Sequence, residues 1–267
     1  MHLSVLLSSL PLDFEPAVRR AAGLGFRYVD VVGLADRPGA HLEALADSGL
    51  LVCCAAVGRG LPDGQTLDAA SVEMRRAALE QMKRQVADAA RLGATHCYLV
   101  PGIDAGVEGR LRFTEACLAL ADFAARRMVR LCVEHVPGRA LPTVAAALEW
   151  LEEVGHDNLA LLLDIGHCLI SGEDPAEAAE RAGTRLGYVH LDDNDGAGDL
   201  HWPLLTGQLT EGALRSFLAA LSTIGYGGAL TLELNPANPD PEGALREGRE
   251  LVQRLAQELH LEINGAL

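Results

Sequence analysis

Residues 130–167, RLCVEHVPGRALPTVAAALEWLEEVGHDNLALLLDIGH, hold two short apolar runs, Arg130–Glu134 and Leu159–Asp164, each closed by an acid. Both have the length and the Val and Leu content of strands buried on two faces. Thr143–Val154 between them reads as a helix. Such a strand–helix–strand unit calls for parallel strands joined by a right-handed crossover.

The same unit repeats in both directions. Further strand candidates are Leu3–Leu7, Tyr28–Val32, Leu51–Ala56, His96–Val100, Leu186–His190 and Ala229–Glu233. Helical patterns separate them: PLDFEPAVRRAAGLG, Asp68–Leu92, Gly109–Arg127, Asp174–Ala182, Glu211–Ile224 and Pro241–Leu259. Eight repeats in 267 residues, with no linker rich in Pro, Gly or Ser, predict a single (β/α)8 TIM barrel domain over 1–267. An open doubly wound sheet would show GxGxxG after its first strand. Here that strand ends in Ser8, Ser9 and Leu10, and GRGLPDG follows the third strand with the wrong spacing.

Hydrophobic residues make up 49% of the chain, enough for a substantial core, which excludes wholesale disorder. The 37 acids against 22 Lys and Arg leave a net charge of −15, which argues against nucleic acid as a partner. No apolar run reaches the roughly 20 residues that span a bilayer, so no membrane partner is expected. The opening MHLSVLLSSLPLDF lacks the basic start of a signal peptide and reads as the first strand. The cysteines Cys53, Cys54, Cys97, Cys117, Cys132 and Cys168 form no CxxC pair and sit mostly in apolar surroundings. Buried thiols in a reducing compartment, the cytoplasm, are the expectation. Oligomeric state is left open, a homo-oligomer included.

Barrel chemistry sits at the C-terminal ends of the strands. Strand five ends in Glu134, strand six in Asp164, strand seven in His190 and strand eight in Glu233. A lone acid in that position is ordinarily a helix cap or an ion-pair partner. Four such groups on consecutive strands are harder to explain that way, because burying each costs several kcal/mol unless it is paired or binds a metal. One divalent cation is therefore expected, and three carboxylates with one imidazole suit Mn, Mg, Co or Zn.

Within HLDDNDGAGDLHWPLLTGQLT, which follows strand seven, Asn194, Asp195 and Gly196 read as a solvated turn. Asp199 and His201 are spaced to point the same way, beside His167 if the loop folds over the mouth. The three form a candidate second metal site or a set of contacts to substrate hydroxyls. Arg59 could reach a substrate oxygen, and Trp202 could wall the pocket or cover the barrel end. His135 should point away from the mouth if Glu134 points in. His96 opens strand four at the wrong end, and His2, His41, His156 and His260 read as surface residues.

VEHVPG, LLLDIGHCLISGEDP, GYVHLDDNDGAGDLHWPL and LTLELN together resemble the motifs of the xylose isomerase-like TIM barrel superfamily, within it the sugar phosphate isomerase/epimerase family. The resemblance implies Glu134, Asp164, His190 and Glu233 as metal ligands and His167 as a substrate contact. It also implies Glu134 and Glu233 as the acid/base pair of ketose 3-epimerases. One departure stands out: those epimerases carry a substrate-binding arginine soon after the strand-seven histidine, where this chain has DDNDGAG. Apurinic endonucleases share the superfamily, and His167, Asp199 and His201 match one site of their three-zinc cluster. The histidines that complete that cluster have no counterpart in AAVGRG or CYLVPG.

The expectation is therefore an isomerase or epimerase of a ketose, keto-polyol or related small hydroxy-carbonyl compound, working through an enediolate. A dehydratase of an inosose-like substrate on the same site, an apurinic endonuclease-like zinc hydrolase, and a non-catalytic metal-binding barrel are the alternatives.

Overall fold

The computed structural model describes residues 1–264. Eight parallel strands close into a barrel in sequence order: β1 His2–Leu6, β2 Tyr28–Val32, β3 Leu51–Ala56, β4 His96–Leu99, β5 Arg130–Glu134, β6 Leu159–Asp164, β7 Leu186–Leu191 and β8 Ala229–Leu232. β8 pairs back onto β1 through His2–Ala229 to Val5–Leu232. The helices among the described residues are α1 Phe14–Gly23, α2 Gly39–Ser48, α3 Val72–Arg91, α4 Val107–Ala125, α5 Val144–Val154, α6 Ile165–Ser171, α7 Pro175–Ala182, α8 Glu211–Thr223 and α9 Pro241–Glu258. None is long and apolar enough to cross a membrane.

The strands are apolar throughout because each meets two cores. Leu131, Val133, Leu161, Leu163, Val189, Leu230 and Leu232 point outward into the layer shared with the helices. Their neighbours Cys132, Ala160, Leu162 and Tyr188 point inward and fill the barrel with Cys54, Ala56 and Tyr98. All six cysteines are buried and unpaired.

The structure departs from the sequence reading in two helices. α2 fills the second strand–helix unit and α6 starts immediately after Asp164, and the sequence pattern predicts neither. α3 begins at Val72 rather than at Asp68, because Ser71 caps it by accepting from Met74 N at 3.3 Å. Asp68 instead accepts from Asp104 N at 2.8 Å, tying together the loops after β3 and β4.

Two side chains of α3 hold the mouth. Asp88 forms a buried ion pair with Arg37 at 2.8 Å and accepts from Leu34 N at 3.0 Å, which anchors the loop after β2. Gln85 accepts from Gly58 N at 2.7 Å and donates to Arg59 O at 2.9 Å, which fixes the loop after β3.

Candidate metal centre

Inward-facing positions of β5, β6 and β7 deliver Glu134, Asp164 and His190 to the barrel mouth, and the residue immediately after β8 adds Glu233. Asp164 and His190 are register partners on adjacent strands, so their side chains stand at one height on one face. Each of the four offers one ligand atom, and these atoms lie within 4.8 Å of one another. All four are buried, Glu233 the least so at 6% exposure.

Asp164 shows why a carboxylate suits this point. Its Oδ1 caps α6, accepting from His167 N at 3.0 Å, while Oδ2 is buried with no hydrogen-bond partner. The helix-cap role considered from sequence is thus filled by one oxygen, leaving the other aimed at the cluster. His190 Nδ1 lies 2.5 Å from Glu233 Oε2 and 3.7 Å from Glu134 Oε1, yet forms no hydrogen bond of acceptable geometry. Buried polar atoms are nearly always satisfied, so the orphaned Asp164 oxygen, in a cluster where an imidazole is pressed between two carboxylates, fits a divalent cation. The oxygen-rich donor set fits it as well.

A second cluster adjoins the first through His201. His167 Nδ1 donates to His135 O at 2.8 Å, which leaves Nε2 facing Asp199 Oδ1 at 3.2 Å. His201 Nε2 lies 3.1 Å from the same Asp199 oxygen, and its Nδ1 contacts Asp192 Oδ2. His201 takes the left-handed backbone region at φ 47°, unusual for a residue with a side chain. The loop does fold over the mouth and brings His167, Asp199 and His201 together.

Sequence reasoning missed Asp192, which forms a third cluster with Asp164 and His201 and so links the other two. Its signal was the glycine of DIGH: a Cβ on Gly166 would lie 1.8 Å from Asp192 Oδ1. The turn reading needs correction at Asn194, which is buried and donates from Nδ2 to Gly166 O at 2.7 Å. Asp193 is buried too, accepting from Gly207 N at 2.7 Å and Leu209 N at 2.9 Å to shape the loop. Asp195 is the exposed turn residue, accepting from Ala197 N and Gly198 N.

Arg59 lines a cavity of about 480 Å³ with Glu134, Arg139, His167, Asp199, His201 and Glu233. Its Nη2 stands 3.8 Å from Glu233 Oε1. Trp202 is half-buried and pairs its backbone with Asp193; among the described residues it is not part of the cavity wall. His135 is buried behind the mouth, with Nε2 3.2 Å from Asp164 O. Burial lowers its pKa to about 4, so it is neutral. Of the other histidines, His2, His41 and His156 are half-buried rather than exposed, His41 stacking on Phe14, and His260 is exposed.

Burial alone would discharge these groups, but the cluster overrides it. Burial would raise the Asp164 pKa, yet His167, His201 and His190 hold it well below the ordinary carboxylate value. Against the burial penalty, Asp164, Asp199 and Glu134 raise His167 to about 11. His201 rises to about 10 against burial through its bond to Asp192. His190 is raised against burial by Glu233 and Glu134, and Glu233 in turn is lowered by His190. Asp192 goes the other way, raised by burial and by Asp164.

The profile of the xylose isomerase-like TIM barrel family matches residues 18–255, and the chain belongs to that family. It is 35% identical over 147 residues to the L-ribulose 3-epimerase of Methylomonas sp., a match spanning 53% of this chain and 48% of that protein. It is 28% identical over 265 residues to a putative hydroxypyruvate isomerase of Streptomyces coelicolor, covering 90% and 91% of the two chains. Among solved structures, the D-allulose 3-epimerase from Methylomonas sp. superposes with a TM-score of 0.81 over 96% of this chain and 98% of that one. At 22% identity, that likeness speaks to the fold alone.

Proposed function

We propose that this protein is a divalent-metal-dependent isomerase or epimerase of a ketose, keto-polyol or related small hydroxy-carbonyl compound. The observation that carries the reading is the buried convergence of Glu134, Asp164, His190 and Glu233, with Asp164 Oδ2 left without a hydrogen-bond partner. The names of the epimerase and isomerase relatives support it.

A cation held there would supply Lewis-acid polarisation of a carbonyl and its neighbouring hydroxyl, acidifying the adjacent C–H. Glu233 is ionised and takes that proton as general base. Glu134 stands on β5, three strands away around the barrel from β8, so the two carboxylates approach the mouth from different sides. One removes a proton and the other returns it, to the opposite face of the same carbon for epimerisation or to the neighbouring carbon for isomerisation. His167, with Nδ1 committed to a backbone carbonyl, directs Nε2 toward the cavity and holds a substrate oxygen. Arg59, whose carbonyl oxygen Gln85 holds, lines the same cavity and binds a further oxygen.

His167, Asp199 and His201 form a second cation site or a hydroxyl-binding set, and Asp192 extends the cation reading. The −15 charge argues against nucleic acid, and six buried free thiols suit the cytoplasm. Metal analysis of the purified protein tests the core of the reading. It should show at least one divalent ion per chain, reduced in Glu233→Gln; a metal-free, fully active wild type would sink it.

A further inference from the structure

Beneath the proposed ligands the barrel interior holds a second polar layer. Asp30 of β2 is fully buried. Its Oδ1 accepts from Tyr188 OH at 2.7 Å and Ser4 Oγ at 3.0 Å, and its Oδ2 accepts from Thr231 Oγ1 at 2.9 Å. These four residues come from β1, β2, β7 and β8. His190 lies next to them, with Nε2 4.0 Å from Asp30 Oδ2 and both side chains wholly inaccessible. Its other nitrogen, Nδ1, faces Glu233 and Glu134.

His190 Nε2 has no hydrogen-bond partner, and among the described residues Asp30 is the one carboxylate within 4.0 Å of it. The hydroxyls do not explain an acid here, because Thr231 Oγ1 and Tyr188 OH lie 3.2 Å apart and can bond each other. A neutral side chain would serve them without the several kcal/mol that burying a charge costs. Three hydroxyl donors on one buried carboxyl instead make a prepared anion beside the unclaimed nitrogen of a candidate ligand. Metal-bound histidines generally need such a partner, which fixes the tautomer and the ring orientation.

We infer that Asp30 is the positioning residue of the metal centre: it accepts the Nε2 proton of His190 and so presents Nδ1, unprotonated, to the cation. The inference rests on the proposed centre. The 4.0 Å separation exceeds a hydrogen bond by about 1 Å, so the inference requires the ring to shift by that much when Nδ1 engages a cation.

Zinc affinity of Asp30→Asn, measured by competition with a chelating dye, tests the inference. Asp30→Asn should bind zinc about 10- to 100-fold more weakly than wild type, while the two metal-free proteins melt at similar temperatures. Tyr188→Phe, which removes a donor to Asp30 but leaves the carboxylate, should change zinc affinity far less. Should Asp30→Asn fail to fold, nitrogen-15 histidine spectra of the zinc-loaded wild type decide instead. His190, assigned through contacts with Tyr98 and Tyr188, should carry its proton on Nε2 and the metal on Nδ1. Unchanged affinity in Asp30→Asn, or the opposite nitrogen assignment, overturns the inference while leaving the centre standing. A wild type that binds no zinc overturns both.

Discussion

At the scale of the residue, Asp164 joins two functions in one carboxylate. Oδ1 starts α6, and Oδ2 is left for the cluster. Asp164→Asn can still cap the helix, so it should fold yet lose most metal affinity; titration with Mn²⁺ and a melting curve separate the two. Gly166 has a comparable constraint, since any Cβ there meets Asp192 Oδ1 at 1.8 Å. Gly166→Ala should displace Asp192 and with it the bonded His201, lowering kcat/KM at least tenfold while circular dichroism stays native. Activity equal to wild type would show that the loop tolerates the shift. Glu134→Gln and Glu233→Gln should each lower kcat by 100-fold or more, the scale of a lost general acid or base. A drop confined to KM would instead assign the lost group to binding alone.

At the scale of the element, α3 braces two loops of the mouth through consecutive turns. Gln85 holds the Arg59 loop, and Asp88 holds the Arg37 loop. Asp88→Ala would strand a buried guanidinium, which typically costs about 3–5 kcal/mol; urea denaturation should show a loss of that order. A change below 1 kcal/mol would mean that water reaches Arg37. The strands themselves are legible in sequence because each is short, apolar and closed by punctuation, and the four candidate ligands are legible because they end such runs. α6 escaped notice because it is a single short helix continuous with its strand and capped by a residue already assigned to chemistry. Asn194 is obscured by composition, because Asn-Asp-Gly reads as a solvated turn, and the acids Asp192 and Asp193 run straight into it; tertiary contacts to Gly166, Gly207 and Leu209 accompany the burial of Asn194 and Asp193. Asp30 gave no local signal at all, since its partners come from β1, β7 and β8.

At the scale of the whole molecule, the net charge of −15 has two components. Most of it is spread over the surface, where it would disfavour an anionic polymer as partner. A small buried part converges at one end of the barrel and raises the pKa of His167 to about 11 and that of His201 to about 10 against burial. Both values exceed the unfolded 6.5, so the protonated pair stabilises the metal-free chain fully below pH 6.5. That contribution is lost as pH rises through 10 to 11. A cation must also displace the proton that Glu233 and Glu134 stabilise on His190. Metal affinity should therefore climb from pH 6 to pH 8 with proton release, visible as a buffer-dependent binding enthalpy. A pH-independent affinity would contradict this electrostatic picture.

The proposed role of the four strand-end side chains is to gather a cation in order to move a proton on carbon. It is tested most directly by incubating the metal-loaded protein in D₂O with a panel of ketoses and hydroxy-keto acids and following deuterium by NMR. The account predicts deuterium at the carbon next to the carbonyl in any substrate turned over, abolished in Glu134→Gln and Glu233→Gln. Turnover without deuterium in any substrate would contradict it.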